Sequence, residues 1–92
     1  MQAEELFGSL SQAIKDVVNN QSLTVNLDHR LVGDLGLESI DLLDVSSELE
    51  NTIGKELDFK EVAEFLSQKN NEPVDMRKMR VSDVIEYLSV QR

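Results

Sequence analysis

The sequence contains no cysteine and no tryptophan, one proline, one histidine and four glycines, and only 4% of its residues are aromatic. Without cysteine there is neither a disulfide scaffold nor a thiolate metal site, and the composition agrees with a reducing compartment. With so little proline and glycine, most of the chain is free to be helical. No run approaches the ~18 apolar residues of a membrane span. Met1-Gln2-Ala3-Glu4-Glu5 lacks the basic start and apolar core of a secretion signal, so the chain reads as cytoplasmic and off the membrane. Bases are scarce too: nine Lys and Arg against eighteen Asp and Glu leave a net charge of -9. That charge repels nucleic acid and anionic lipid, so any charged partner is expected to be a protein with a basic surface.

Ninety-two residues make one small domain, read as 1–92, which buries roughly 60–65% of the surface of its extended chain. A deep cleft between lobes is not available at that size, which argues against an enzyme. Apolar residues at 40% and charged residues at 29% are ordinary globular material, and no repeat, low-complexity tract or linker interrupts them.

Leu6, Leu10, Ala13, Ile14, Val17 and Val18, with Phe7 beside them, recur at helical spacing and predict a helix from about residue 3 to about residue 20. Asn19-Asn20-Gln21-Ser22 ends it. From there to Gly36, Leu23, Val25, Leu27, Leu31, Val32 and Leu35 alternate with polar residues. With no second strand to pair with, the stretch reads as a long packed loop, of the kind that is usually functional or anchored. A second helix is expected from Glu38 or Ser39 to about Ile53, closed by Gly54 as a left-handed cap. Its Leu42, Val45, Leu49 and Ile53 share the core face, Asp41, Asp44 and Glu48 the opposite one, and Ile40, Leu43 and Ser47 a flank between them.

Asp58-Phe59-Lys60-Glu61 has the spacing of a capping box, and Phe59, Val62, Ala63 and Leu66 predict a third helix from about 59 to 69, stopped ahead of Pro73. Ser82 reads as the cap of a last helix that buries Val84, Ile85 and Leu88, with Val81 just before it and Tyr87 at its edge. Together these predict an all-α four-helix bundle with a long loop between helices 1 and 2 and an extended third-helix region.

Between Arg30 and Lys55 stand six acids (Asp34, Glu38, Asp41, Asp44, Glu48 and Glu50) and no base. Ser39 lies at the head of that acidic helix. Taken alone, such a serine is a cap whose oxygen accepts a free N–H of the first turn, and the acidic face is a solvated surface. The combination of Gly36-Leu37-Glu38-Ser39 with Ile40, Asp41 and Asp44 asks for more than a cap.

Leu35-Gly36-Leu37-Glu38-Ser39-Ile40-Asp41 resembles the attachment motif of the acyl carrier proteins, Asp-Ser-Leu preceded by Leu-Gly and one variable residue, with Glu38 for Asp and Ile40 for Leu. The resemblance covers most of the chain: the first helix, the long loop, the Asp34-Leu35-Gly36 approach, the acidic second helix and the closing stretch Val81 to Leu88 fall in the family's order. It implies the acyl-carrier fold, with Ser39 receiving 4'-phosphopantetheine from coenzyme A through a phosphodiester. A separate phosphopantetheinyl transferase with a magnesium ion makes that bond in the family. No base stands beside Ser39 in the sequence, the only histidine being His29, ten residues upstream, so activation must come from the transferase.

The resemblance further implies that the arm's thiol carries acyl groups as thioesters to fatty-acid, lipid or polyketide biosynthetic enzymes. The docking face expected for the transferase and for acyl-chain synthases and acyltransferases with basic patches comprises Glu38, Ile40, Asp41, Leu43, Asp44 and Glu48. Exposed charge pairs contribute about 0.2–1 kcal/mol each, so that binding should be weak and sensitive to salt. An acyl groove is expected between the second and third helices, lined by Val45, Leu49, Phe59, Val62 and Leu66, where each buried methylene is worth about 0.8 kcal/mol. The carrier is expected to be a monomer without a resident metal.

Ser47 stands where many members place Met, and the stretch from Phe59 to Met79 is longer than usual, which points to a specialised carrier. Two other readings fit the residues: an aminoacyl or peptidyl carrier, and a noncovalent acidic interaction module in which Ser39 only caps. His29 reads as a loop residue, and Met76 and Met79 as core filler. Asp34, Glu38 and Asp41 lack the spacing of an EF-hand loop.

Overall fold

The computed structural model describes residues 2–54 and 57–90. Helix α1 (Ala3–Val17) is followed by α2 (Ser39–Ile53), α3 (Phe59–Asn70) and α4 (Val81–Val90), with a 3-10 turn at Met76–Lys78 ahead of the last. Among the described residues the only β pairing is an isolated bridge between Arg30 and Arg80. The all-α bundle expected from the sequence is the fold observed.

The periodic apolar residues meet in one core. Leu6, Leu10 and Ile14 of α1, Val45 and Leu49 of α2, Val62 of α3 and Val81, Val84 and Leu88 of α4 have no exposed surface. Helix α1 packs against both α2 and α4, and α3 packs against α4; α2 and α3 make no comparable contact among the described residues. The α3–α4 seam adds polar and aromatic links. Phe65 and Tyr87 meet edge to face at 5.7 Å and 71°, the Tyr87 hydroxyl donates to Glu61 at 2.9 Å, and Lys69 pairs with Glu86.

Helix ends depart from the spacing argument where local hydrogen bonding decides. Helix α1 stops at Val17, short of residue 20, because Asn19 turns into the left-handed region at φ 56°, which asparagine tolerates. Asp58 caps α3 as expected, accepting the Lys60 N–H at 2.9 Å. Ser82 is not the cap of α4. The helix begins one residue earlier, Asp83 accepts the Arg80 N–H at 2.9 Å, and the Ser82 N–H donates instead to the Leu27 carbonyl at 3.0 Å.

That last bond belongs to a set that ties down the long loop. The Leu31 N–H donates to the Met79 carbonyl at 3.0 Å and the Val81 N–H to the His29 carbonyl at 2.9 Å. The extended partner that the alternating loop sequence lacked is the segment just ahead of α4. Val25, Leu31 and Leu37 are buried beneath it, whereas Leu27, from the same alternating set, stays 48% exposed. Gly36, at φ 72°, turns the chain so that Leu37 enters the core and Glu38 opens α2; an L side chain in that conformation costs about 1–2 kcal/mol.

Candidate functional site

Ser39 is the first residue of α2, and its role hinges on who caps that helix. Glu38 takes the N-cap place, and Asp41 at the third position reaches back to accept the Glu38 N–H at 2.9 Å, closing a capping box. Capping is therefore the work of Glu38 and Asp41. The Ser39 hydroxyl is exposed and has no hydrogen-bond partner among the described residues. The expectation that such a serine plugs a helix end fails here for a definite reason: the plug is its neighbour.

The six acidic and apolar residues assigned to docking do not share one duty. Ile40 and Leu43 are 64% and 69% exposed, and Glu38 and Asp44 are exposed beside them. Asp41 is half-buried and committed to the cap. Glu48 leaves the set altogether. It is half-buried on the α1 side of α2, where Gly8, Ser9, Gln12, Ala13 and Asp16 share a cleft with it and Thr52, because α1 packs tightly enough to wrap the flank that a helical wheel leaves to solvent.

There the Glu48 Oε2 is buried without a donor. Burial first, then the charge of Asp16 and a bond to it, hold the Glu48 carboxyl above the ordinary value of 4.5. Asp16 moves the other way, below 3.8, chiefly because Gln21 and then Gln12 donate to it, at 2.6 and 2.9 Å. Two carboxylates cannot bond each other, so the Asp16–Glu48 contact is a hydrogen bond only while one proton is shared.

An open groove of about 490 Å³ runs from Ser39 between α2 and the start of α3, lined by Leu42, Leu43, Ser46, Glu50, Leu57, Asp58, Phe59, Lys60 and Met76. Of the five residues expected to line an acyl groove, only Phe59 lines this one. Val45 and Val62 at 0%, Leu49 at 0% and Leu66 at 3% exposure lie in the closed core behind it. The groove sits nearer the serine than an inward-face argument places it, since the inner faces of helices in contact are consumed by packing. Leu57 and Met76 were missed because neither belongs to a periodic run; Met76 is half-buried in the 3-10 turn, while Met79 fills the core as expected.

His29 stays in the loop, its Nδ1 accepting the Asn26 N–H at 3.1 Å. Asp34 accepts the Arg30 N–H at 2.8 Å. Among the described residues no group of three or more His, Asp or Glu side chains is placed to share a metal ion.

The model of the phosphopantetheine attachment site family matches residues 9–67, well over half of the chain, and the chain belongs to that family. It is accordingly a carrier bearing covalent 4'-phosphopantetheine, and not an enzyme. The acyl carrier protein of Coprothermobacter proteolyticus is 29% identical over 70 residues, which cover 76% of this chain and 85% of that protein. The resemblance read from Leu35 to Asp41 is thereby borne out. No solved structure matches the chain.

The residues around Ser39 fit the group. A free exposed hydroxyl admits a phosphodiester without breaking a cap, the N–H groups at the head of α2 favour an anion, and the adjoining groove is floored by Leu42, Leu57, Phe59 and Met76.

Proposed function

We propose that this chain is an acyl carrier in which Ser39 is the attachment residue and the groove beside it shelters the cargo. The observation that carries this reading is the Ser39 hydroxyl at the head of α2, without a hydrogen-bond partner among the described residues and opening on a groove floored by Leu42, Leu57, Phe59 and Met76. When bound, the arm supplies a thiol that holds acyl groups as thioesters. Ser39 provides the acceptor oxygen, the head of α2 orients it, and a separate transferase supplies the base and the metal. Leu42, Leu57, Phe59 and Met76 exclude water from cargo lying in the groove. The α2–α3 seam, which lacks the close packing of α1 on α2 and α4 and of α3 on α4, is where the bundle can part for a longer chain. Loading an octanoyl chain should then move the NMR signals of Leu42, Leu57 and Met76, and signals that stay in place would discard the groove.

Ile40, Leu43 and Asp44, with Glu38, form the docking face for the transferase and for synthases and acyltransferases with basic patches. Neither acid is in an ion pair among the described residues, and Asp44, which takes no part in the cap that occupies Glu38, keeps its charge available to a partner. Asp44→Asn should slow attachment of the arm by up to about fivefold, the weight of one exposed pair, with no loss of stability. An unchanged rate would remove Asp44 from the interface. Asp41 is unsuited to that test because it caps α2.

A monomer working in the cytoplasm fits the net charge of -9, which disfavours self-association. The twelve-residue α3 supports a specialised carrier. Fatty-acid, lipid and polyketide pathways all use such a cargo, and aminoacyl cargo lacks the need for an apolar groove. The experiment is the intact mass after incubation with coenzyme A and a broad-specificity transferase: the protein gains one arm, whereas a noncovalent module gains nothing.

A further inference from the structure

Attachment at Ser39, the reading on which this inference rests, brings an anion into a field of acids. Glu38 and Asp41 flank the serine, and no base occurs between Arg30 and Lys55. The head of α2 offsets part of that charge. Across the groove, Lys60 is the one basic side chain among the described residues that line it together with Ser39.

Lys60 is exposed and makes no ion pair among the described residues. It stands in the first turn of α3, where a cation opposes the helix dipole. Glu50 and Asp58 share the groove wall, yet Asp58 is occupied by the backbone N–H of Lys60 at 2.9 Å and neither carboxylate pairs with the ammonium. The helix dipole therefore gives no reason for a lysine at this position, whereas an anion anchored at Ser39 gives one.

We propose that Lys60 holds the phosphodiester of the Ser39 arm and so lays the arm along the groove, toward Leu42, Leu57, Phe59 and Met76, instead of out into solvent. An exposed charge pair biases such a choice by about 1.4- to fivefold. That is enough to favour the sheltered position without locking it. A partner with a basic patch competes for the same phosphate and draws the arm outward.

The test compares wild type, Lys60→Gln and Lys60→Arg, each carrying the arm as shown by intact mass. The Lys60 ammonium signal should move between arm-free and arm-bearing wild type. The phosphorus NMR signal of Lys60→Gln should differ from wild type, with Lys60→Arg close to wild type, and the difference should fade in high salt. Hydrolysis of an octanoyl thioester should quicken in Lys60→Gln by up to about fivefold and be restored in Lys60→Arg. Arm-bearing protein whose ammonium and phosphorus signals ignore each other overturns this inference and leaves the attachment reading standing. A chain that acquires no arm overturns both.

Discussion

Ser39→Ala is expected to abolish the gain of the arm completely while leaving the unfolding midpoint unchanged or slightly raised. The two halves of that result discriminate between roles. If the hydroxyl capped α2, its loss would cost about 1 kcal/mol, a fall of about 4–8 °C in a domain of this size. Glu38 and Asp41 already cap the helix, and the Ser39 oxygen has no partner among the described residues. Alanine is also the better helix former by up to about 0.5 kcal/mol. Thermal unfolding by circular dichroism and intact mass on the same sample read both halves. A clear drop in midpoint would return Ser39 to a structural role, and a retained mass gain would move the attachment to another hydroxyl.

Glu48→Gln is expected to raise the midpoint at pH 7 by about 2–8 °C, corresponding to about 0.5–1 kcal/mol after allowance for solvent screening of a half-buried group. The glutamine amide donates to Asp16 where the carboxylate repels it. The effect has a definite pH signature. Glu48 binds its proton more tightly in the folded state, so its contribution turns unfavourable as pH rises from 4.5 through the raised folded value. Asp16, lowered below 3.8, contributes stability that is present above 3.8 and lost as pH falls through its folded value. The gain from Glu48→Gln should therefore be largest near neutrality and shrink as the pH approaches 4.5. Midpoints measured from pH 7 to pH 4 test this, and a variant no more stable than wild type at pH 7 would falsify the account of the α1–α2 seam.

Periodicity made the four helices readable because each buries a stripe of residues such as Leu6, Leu10 and Ile14 or Val84 and Leu88. The motif around Ser39 was readable because its chemistry is local: a glycine that turns, an acid that caps and a serine left over. What the sequence withheld is what distant segments decide. Glu48 looked solvated until α1 covered it. The partner of the alternating loop lay some fifty residues away, and Leu57 and Met76 entered the groove from stretches with no period at all. Val45, Leu49, Val62 and Leu66 were correctly read as inward-facing, but an inward face in a packed bundle is core before it is cavity.

The bonds that join Leu27, His29 and Leu31 to the segment Met79–Ser82 link positions roughly fifty residues apart in sequence, a closure whose entropic cost grows only slowly with loop length. The turn ahead of Ser39 has its own local bonds, from Asp34 and Leu35 to the Arg30 carbonyl, from Gly36 to Val32 and from Leu37 to Leu31, so the distant segment anchors the loop while short-range bonds shape the turn that presents the serine.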